Sequence, residues 1–495
     1  MNWQPFSSLL PFKQESFYLF WMENVNVPVI RRGSDITPQL LLSLEGCQGY
    51  ELEPPSVRIK PTNKPPIKEE PVVFTDDQLS ALEKIKSWLS IPASELNASN
   101  RAFVFKGVAG SGKTFLLKHI IKTFPQLDWH LTAPTNKAAK EIEKATGLPS
   151  TTIHSKLGLV MKATQSEAME LTDSNKPLPF YEKSVLVIDE SSMNGKELVD
   201  HIWRKTGPTF GYNLRVLFLG DPAQLPPVGE KKTKSWSLAS PENSTSMTQV
   251  KRFDNQLLTL SVRTRQQMRD KNWSNPILDD NDDNGGVFVL RGKTFRDHIL
   301  ENTTLDYFQE HKVLAWRNKT VNQWNKLIRE ELGFKDDFNS GDLILMASPM
   351  TIDSKSIHVD DEFKIMHADQ DELKTNNRVI PTWILKAKND EFTTTLRVPV
   401  DIRDLDDLLA KLASDARSAK GYQVKVCWQK FWEVKELFQN VRFAYAMTTH
   451  RSQGSTYQGV YVDTLDTMAN PEKLESFKCL YVEATRPRTH LWSNA

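Results

Sequence analysis

Residues 107–114 read G-V-A-G-S-G-K-T, and no other stretch constrains the chain as tightly. The spacing satisfies G-x-x-x-x-G-K-[ST], in which the backbone N–H groups of a glycine-rich turn close around phosphate oxygens. Ala102, Phe103, Val104 and Phe105 precede it as a short apolar run suited to a buried strand, and residues 115–121 after it can form a helix. Strand, loop and helix in that order bring the N–H groups around Gly107, Gly110, Ser111 and Gly112 and a helix N-terminus to one point, which is an anion site. Lys113 is then expected to reach the β- and γ-phosphates of ATP, and the Thr114 hydroxyl to hold Mg²⁺.

A second piece of such a site follows. Residues 184–188 are an apolar strand ending in Asp189 and Glu190. An acidic pair at the tip of a buried strand fits Asp189 holding Mg²⁺ through water and Glu190 polarising the attacking water. Residues 214–219 form another apolar strand, followed by G-D-P-A-Q-L-P-P, where Gln224 can touch a γ-phosphate or its water. Strands alternate with helices and the chemistry falls at the strand C-terminal ends, as in a doubly wound α/β sheet.

At 495 residues the chain has room for two to four domains, and its 39% hydrophobic and 25% charged residues are ordinary globular values. The net charge of +1 gives no global basic signal, so any polyanion site has to be a local groove. Cys47, Cys427 and Cys479 lie far apart without C-x-x-C spacing, which argues against a disulfide framework or zinc site and for a reducing cytoplasm. No run approaches the roughly 18 uncharged apolar residues of a membrane span, so no membrane association is expected. The aromatic run 17–22 lacks a basic segment ahead of it and reads as a core or docking segment, not a signal peptide.

Residues 54–71 carry six prolines among lysines and glutamates and read as an extended linker after an N-terminal extension, 1–73 in all. Thr75 caps a helix with Leu79, Leu82, Ile85 and Leu89 at helical spacing. Gln78 in its first turn can pair with adenine N6 and N7, though a solvated side chain is the commoner use of such a position. Pro134, Thr135 and Asn136 end a strand and His154 follows the threonine pair 151–152; such side chains suit contacts to a nucleic-acid backbone and suit helix capping equally. A second alternating block begins with the strand at Val313 and continues through the strand 343–346. Short strands between 350 and 402 resemble a small β-barrel. Leucines 405, 408, 409 and 412 and the aromatics Trp428, Phe431, Trp432 and Phe438 mark two helices read as packing together. The α/β pattern resumes at 441–449, followed by Thr449 and His450 in T-T-H-R-S-Q-G-S-T, and ends with L-Y-V-E-A-T-R.

The ordered blocks F-T-D-D-Q, G-V-A-G-S-G-K-T, T-A-P-T-N-K-A-A, T-I-H-S, V-I-D-E-S-S-M, G-D-P-A-Q-L-P-P-V, T-Q-V-K-R, A-W-R-N-K-T-V, T-T-H-R-S-Q-G-S-T and L-Y-V-E-A-T-R resemble superfamily 1 DNA helicases of the RecD-like branch, most closely the phage Dda type. The resemblance covers roughly residues 74–492. It implies an α/β fold of two RecA-like P-loop lobes, 74–255 and 256–348 with 440–495, and an SH3-like β-barrel and paired-helix insertion at 349–439. It assigns Gln78 to adenine, Lys113 and Thr114 to phosphate and Mg²⁺, Asp189 to Mg²⁺ and Glu190 to water, with Gln224, Arg252 and Arg486 as γ-phosphate sensors. Pro134, Thr135, Asn136, His154, Thr449 and His450 would line a single-stranded DNA path. A strand-separating pin falls in about 158–180, where no aromatic tip is offered and Met169 or Leu171 would serve. Pro487 follows Arg486 where a small residue is more usual.

The activity so implied is ATP-dependent, 5′→3′ translocation on single-stranded DNA by a cytoplasmic monomer in a bacterial or phage-infected cell. Forked or tailed duplexes would be its substrates, and single-stranded-DNA-binding or replisome proteins its further partners. The alternatives are a RecD-like motor subunit of a nuclease complex and a nucleotide switch indifferent to DNA.

Overall fold

The structure, a computed structural model, describes residues 74–163, 169–173, 178–227, 229–249, 256–352, 355–375 and 378–495, with the backbone of four short strands nearer the N-terminus. Residues 1–73 and 74–495 are separate compact units. In the first, Phe17–Trp21 pairs antiparallel with both Val29–Arg32 and Gln48–Leu52, so the aromatic run is an inner strand of a small sheet completed by Gln4–Pro5. The proline-rich segment lies outside the described residues.

The second unit opens with the helix Asp76–Leu89, held at its start by a capping box between Thr75 and Gln78. Next comes a six-stranded, wholly parallel sheet in the order Ser244–Met247, Ala102–Gly107, Arg215–Gly220, Ser184–Ile188, Asp128–Ala133, Ser150–Thr152. Its inner strands are mostly apolar because both faces are covered. Phe103, Phe105, Val185, Val187, Leu217 and Leu219 point to one face and meet Leu82, Ile85, Leu116, Leu117 and Ile120 of the helices there. Ala102, Val104, Leu186, Ile188, Val216 and Phe218 point to the other and meet Ile153, Leu157, Leu198 and Ile202. The period-two alternation of a strand thus supplies two cores from the same residues.

A second six-stranded sheet has the order Asp280–Asp282, Gly285–Val289, Pro487–Ser493, Tyr457–Val462, His311–Ala315, Ala446–Thr448, parallel except for its first pair. Pro487 is the first residue of its strand, where a missing N–H costs least. The helices Gln256–Asp270 and Lys473–Ala484 pack on this sheet through Leu257, Leu260, Phe477 and Leu480. This is the mixed α/β architecture with two sheets that the alternating pattern implies.

The strand at 343–346 departs from expectation. Leu343–Met346 is not in the second parallel sheet but in a five-stranded antiparallel sheet, between Glu362–Thr375 and Val441–Phe443. Arg378–Lys388 and Thr393–Pro399 complete that sheet. The misreading has a physical cause. Ile344 and Met346 enter the core of the antiparallel sheet while Leu343 and Leu345 enter the core of the second lobe, so the strand is apolar on both faces like a parallel one. For the same reason 441–449 is two strands. Val441–Phe443 belongs to the antiparallel sheet and Ala446–Thr448 to the parallel one, with buried Tyr445 at the bend donating through its hydroxyl to Asp342.

Beyond this sheet the helices Ile402–Ser418 and Tyr422–Leu437 pack on each other, with Trp428, Phe431 and Trp432 buried against Ala413 and Ala416. Leu159–Ala163 and Met169–Asp173 form an antiparallel hairpin on the first lobe. Asp173 at its base meets Lys205 at 3.1 Å and Arg204 at 3.3 Å. Leu171 packs against the core beneath, so it is a base residue and not the tip. The tip, 164–168, and the Met169 side chain lie outside the described residues. Among the described residues no helix is long and apolar enough to cross a membrane.

Candidate nucleotide site and nucleic-acid path

The loop after Ala102–Gly107 leads directly into the helix Lys113–Thr123. Gly110 and Gly112 have φ of 76° and 86°, left-handed values that glycine adopts freely. A Cβ on Gly112 would lie 2.6 Å from Gln78 Nε2, and one on Gly107 would lie 2.8 Å from both Lys113 Cγ and Ser111 Oγ. Ser111, 1% exposed, closes the turn by donating N–H and O–H to the Val108 carbonyl at 3.2 and 2.8 Å. Lys113 Nζ donates to the carbonyls of Gly107 at 2.7 Å and Val108 at 3.2 Å, so its charge lies over the loop. Thr114 is the second residue of the helix.

Gln78 is 1% exposed. Its Oε1 accepts from Thr75 N–H at 3.1 Å and its Nε2 donates to the Ser111 carbonyl at 2.9 Å. The residue ties the first helix to the phosphate loop, with one N–H and one lone pair still free on the amide.

Asp189 and Glu190 follow the strand Ser184–Ile188. Asp189 N–H donates to the Thr132 carbonyl at 2.9 Å, and its Oδ1 accepts from Glu190 N–H at 2.9 Å. Glu190 has φ 47°, a strained value for a residue with a side chain. Burial pushes both carboxyls upward; Asp189 raises Glu190 further, while Arg486 and Lys113 oppose that. The two acids, Lys113 and Arg486 therefore share one electrostatic neighbourhood. Among the described residues no three His, Cys, Asp or Glu side chains form a metal cluster. The Thr114 hydroxyl and the Asp189 carboxylate are the hard oxygen donors that suit Mg²⁺, an ion otherwise held by phosphate and water.

The second lobe meets this site directly. Gln224 Oε1 accepts from Ser192 Oγ at 3.2 Å and from Nε2 of Gln453, in the second lobe, at 3.1 Å. Arg486 is 5% exposed and donates to the carbonyls of Val482 at 3.1 Å and Ser455 at 2.9 Å and to Thr485 Oγ1 at 2.8 Å. Ala109 N–H, in the phosphate loop, lies 3.1 Å from both Asp221 Oδ2 and the Tyr481 hydroxyl. Asp221, Tyr481, Arg265 and Gln453 were not singled out by sequence. Asp221, Gln453 and Tyr481 sit in blocks read for other residues, and an aspartate directly before a proline gives no sign of burial. Arg252 lies outside the described residues.

Pro134, Thr135 and Asn136 stand at the C-terminal end of Asp128–Ala133, and His154 just beyond Ser150–Thr152. Thr135 caps the helix Asn136–Thr146 by accepting from Ala138 N–H, which leaves its hydroxyl hydrogen free. A Cβ on Gly454 would lie 3.7 Å from Thr135 Oγ1, so the segment after His450 lies against this strand end. Thr135 is therefore a helix cap. His450 Nε2 is 3.7 Å from Glu475. Burial pushes the His154 and His450 imidazoles down, with Glu475 opposing at His450. Thr449 must be corrected. It is 0% exposed and its hydroxyl donates to Glu483, so its side chain is a buried brace and is not available to a polyanion.

Comparison with known proteins agrees with this geometry. A family model described as "AAA domain" matches residues 93–285, and one described as "UvrD-like helicase C-terminal domain" matches 443–492. An uncharacterized protein of Acanthamoeba polyphaga mimivirus is 26% identical over 486 residues, covering 79% of this chain and 95% of its own. The "ATP-dependent DNA helicase dda" of Enterobacteria phage T4 is 27% identical over 450 residues, covering 84% of this chain and 99% of its own. A solved structure of Bacteroides Pif1 bound to ssDNA aligns with a TM-score of 0.43 at 16% identity, over 86% of this chain and 92% of that one. With two motif-bearing lobes matched in order along nearly the whole of a relative, the chain belongs to the superfamily 1 ATP-dependent DNA helicases.

Proposed function

We propose that this chain hydrolyses ATP between its two lobes to move 5′→3′ along single-stranded DNA and open forked or tailed duplexes. The observation that carries this reading is the contact of the phosphate loop with the second lobe, Ala109 N–H to the Tyr481 hydroxyl at 3.1 Å. A nucleotide seated there is touched by two bodies, so loss of its γ-phosphate changes how the bodies hold each other.

In this reading Lys113 and the loop amides bind the phosphates, Gln78 offers its free N–H and lone pair to adenine, and Thr114 and Asp189 hold Mg²⁺. The ion would supply charge neutralisation on the phosphate oxygens. Glu190 orients and polarises the attacking water. Gln224 and Arg486, with Arg252, respond to the γ-phosphate. Pro134, Thr135, Asn136, His154 and His450 line the strand ends along which DNA would run, and phosphate contacts there position it without reading sequence. The moving bodies are residues 74–255 and the second lobe, now bounded at about 256–342 and 444–495. The name of the phage T4 relative supports ATP and DNA as ligands, and the single-strand preference and polarity rest on the resemblance of the motif blocks.

Unwinding of matched duplexes with a 5′ or a 3′ single-stranded tail tests the reading. ATP-dependent opening of the 5′-tailed duplex alone is expected. Preferential opening of the 3′-tailed duplex would overturn the polarity, and opening of neither would overturn the activity.

A further inference from the structure

Asp221 is 0% exposed and carries a carboxylate that every neighbour addresses. Its Oδ2 accepts from Ala109 N–H at 3.1 Å and from the Tyr481 hydroxyl. Its Oδ1 accepts from Ala223 N–H at 2.9 Å and is ion-paired with Arg265 Nη1 at 3.3 Å. One partner comes from the phosphate loop and one from Asp221's own turn. The other two come from the second lobe, Tyr481 on Lys473–Ala484 and Arg265 on Gln256–Asp270. A buried carboxylate is tolerated only while it stays paired. The lobes therefore cannot shift without either breaking those pairs or carrying the Ala109 amide along.

That amide belongs to the loop whose N–H groups form the anion site. Tyr481 and Ala109 meet each other as well as Asp221, so three groups close a ring of hydrogen bonds. Burial and the Asp221 carboxylate push the Tyr481 phenol far up, so it remains a donor at any working pH. A cavity of about 230 Å³ opens beside the ring, lined among others by Val108, Ala109, Arg265, Arg269 and Tyr481. Two arginines beside such a space suit a phosphate group.

We propose that Tyr481 and Asp221 are positioning residues that transmit the state of the second lobe to the phosphate loop, by holding the Ala109 N–H and so fixing the shape of the loop that closes on the phosphates of the nucleotide. The joint deepens the ATPase reading above and rests on it. Tyr481 acts on the loop through its hydroxyl, which meets both Asp221 and the Ala109 N–H.

Steady-state ATP hydrolysis by full-length wild type, Tyr481→Phe, Asp221→Asn and the double variant, each with and without single-stranded DNA, separates the possibilities. Tyr481→Phe keeps the ring and removes only the hydroxyl, and Asp221→Asn serves should that variant fail to fold. Each single variant should lower kcat about tenfold, somewhat less than loss of a donor aimed straight at a transition state. KM for ATP should stay within about threefold and the melting temperature near wild type. The double variant should lose no more than the worse single one, because both act through one ring. Wild-type kcat in Tyr481→Phe, or losses that multiply in the double variant, would overturn the joint. A wild type whose hydrolysis ignores DNA would instead overturn the translocation reading, and the comparison of variants at fixed DNA would still decide the joint.

Discussion

Gln453 of the second lobe donates through Nε2 to Oε1 of Gln224 in the first lobe at 3.1 Å, in a buried position. Gln453 also reaches the Leu225 carbonyl at 3.4 Å. The contact places a candidate γ-phosphate sensor under control of the second lobe's H-R-S-Q-G block. Gln453→Ala should therefore slow DNA-stimulated turnover about fivefold, with ATP affinity within about twofold of wild type, since one neutral hydrogen bond is worth about 1 kcal/mol. Titration with a fluorescent ATP analogue beside steady-state kinetics checks the split. A pure loss of affinity would contradict it.

Lys113→Ala should abolish turnover, because no other described side chain puts a positive charge over the loop carbonyls of Gly107 and Val108. Glu190→Gln should retain nucleotide and DNA binding yet turn over at least about a hundredfold more slowly, the range for general acid–base catalysis. Filter binding and phosphate release on the same preparations test both. Wild-type turnover by Glu190→Gln would remove Glu190 from the chemistry.

Glu483 offers a pH test. It is 1% exposed, its Oε1 accepts from Thr449 and from Thr467 at 3.0 Å, and its Oε2 has no partner. Burial raises its pKa from 4.5 to about 7, with the Thr449 and Thr467 hydrogen bonds opposing and Asp463 and Asp466 adding. The folded state thus holds the proton more tightly than the unfolded chain. Its contribution is fully present below pH 4.5 and is lost as pH rises to about 7, a change of about 3 kcal/mol at most. Glu483→Gln keeps an acceptor for both threonines. It should match wild-type stability near pH 5 and exceed it near pH 8, as read by denaturant titration at both values. An equal difference at both would contradict the assignment.

The antiparallel sheet sets where the insertion can be cut. Arg397 and Gln439 exchange hydrogen bonds, Arg397 N–H to Oε1 at 2.6 Å and Gln439 N–H to the Arg397 carbonyl at 2.8 Å, so the ends of the helical pair lie side by side. Replacing residues 401–438 by a short Gly/Ser linker should give soluble protein with ATPase activity within a few-fold of wild type. Replacing 355–437 should not, because it strips Phe363, Ile365, Trp383 and Leu385 from Ile344 and Met346. Thermal melting of the two variants decides. Equal stability would mean that the strand Leu343–Met346 needs only the second lobe.

Much of this architecture was legible because it rests on local signals. The strand–loop–helix around Lys113 and the acidic pair after Ile188 follow from spacing alone, and the structure sets them beside Arg486, far along the chain in sequence order. What was not legible depends on tertiary placement. An apolar run such as 343–346 does not say which two cores it separates, a threonine such as Thr449 does not announce that a buried glutamate takes its hydroxyl, and nothing near Asp221 in sequence names Tyr481 or Arg265 as its partners. The proposed DNA path is legible only as a row of strand ends, Pro134 to Asn136, His154 and His450.

The central claim is that a nucleotide site shared by two lobes is coupled to a single strand of DNA running over the strand ends. The most direct measurement is the steady-state ATPase rate of the full-length protein as single-stranded DNA is titrated in, with Lys113→Ala as the control for contaminating activity. The rate should rise by about tenfold or more and saturate, with a midpoint that moves to higher DNA concentration as salt is added. A rate that stays flat across the titration, with the same protein shown to bind the DNA, would contradict the coupling.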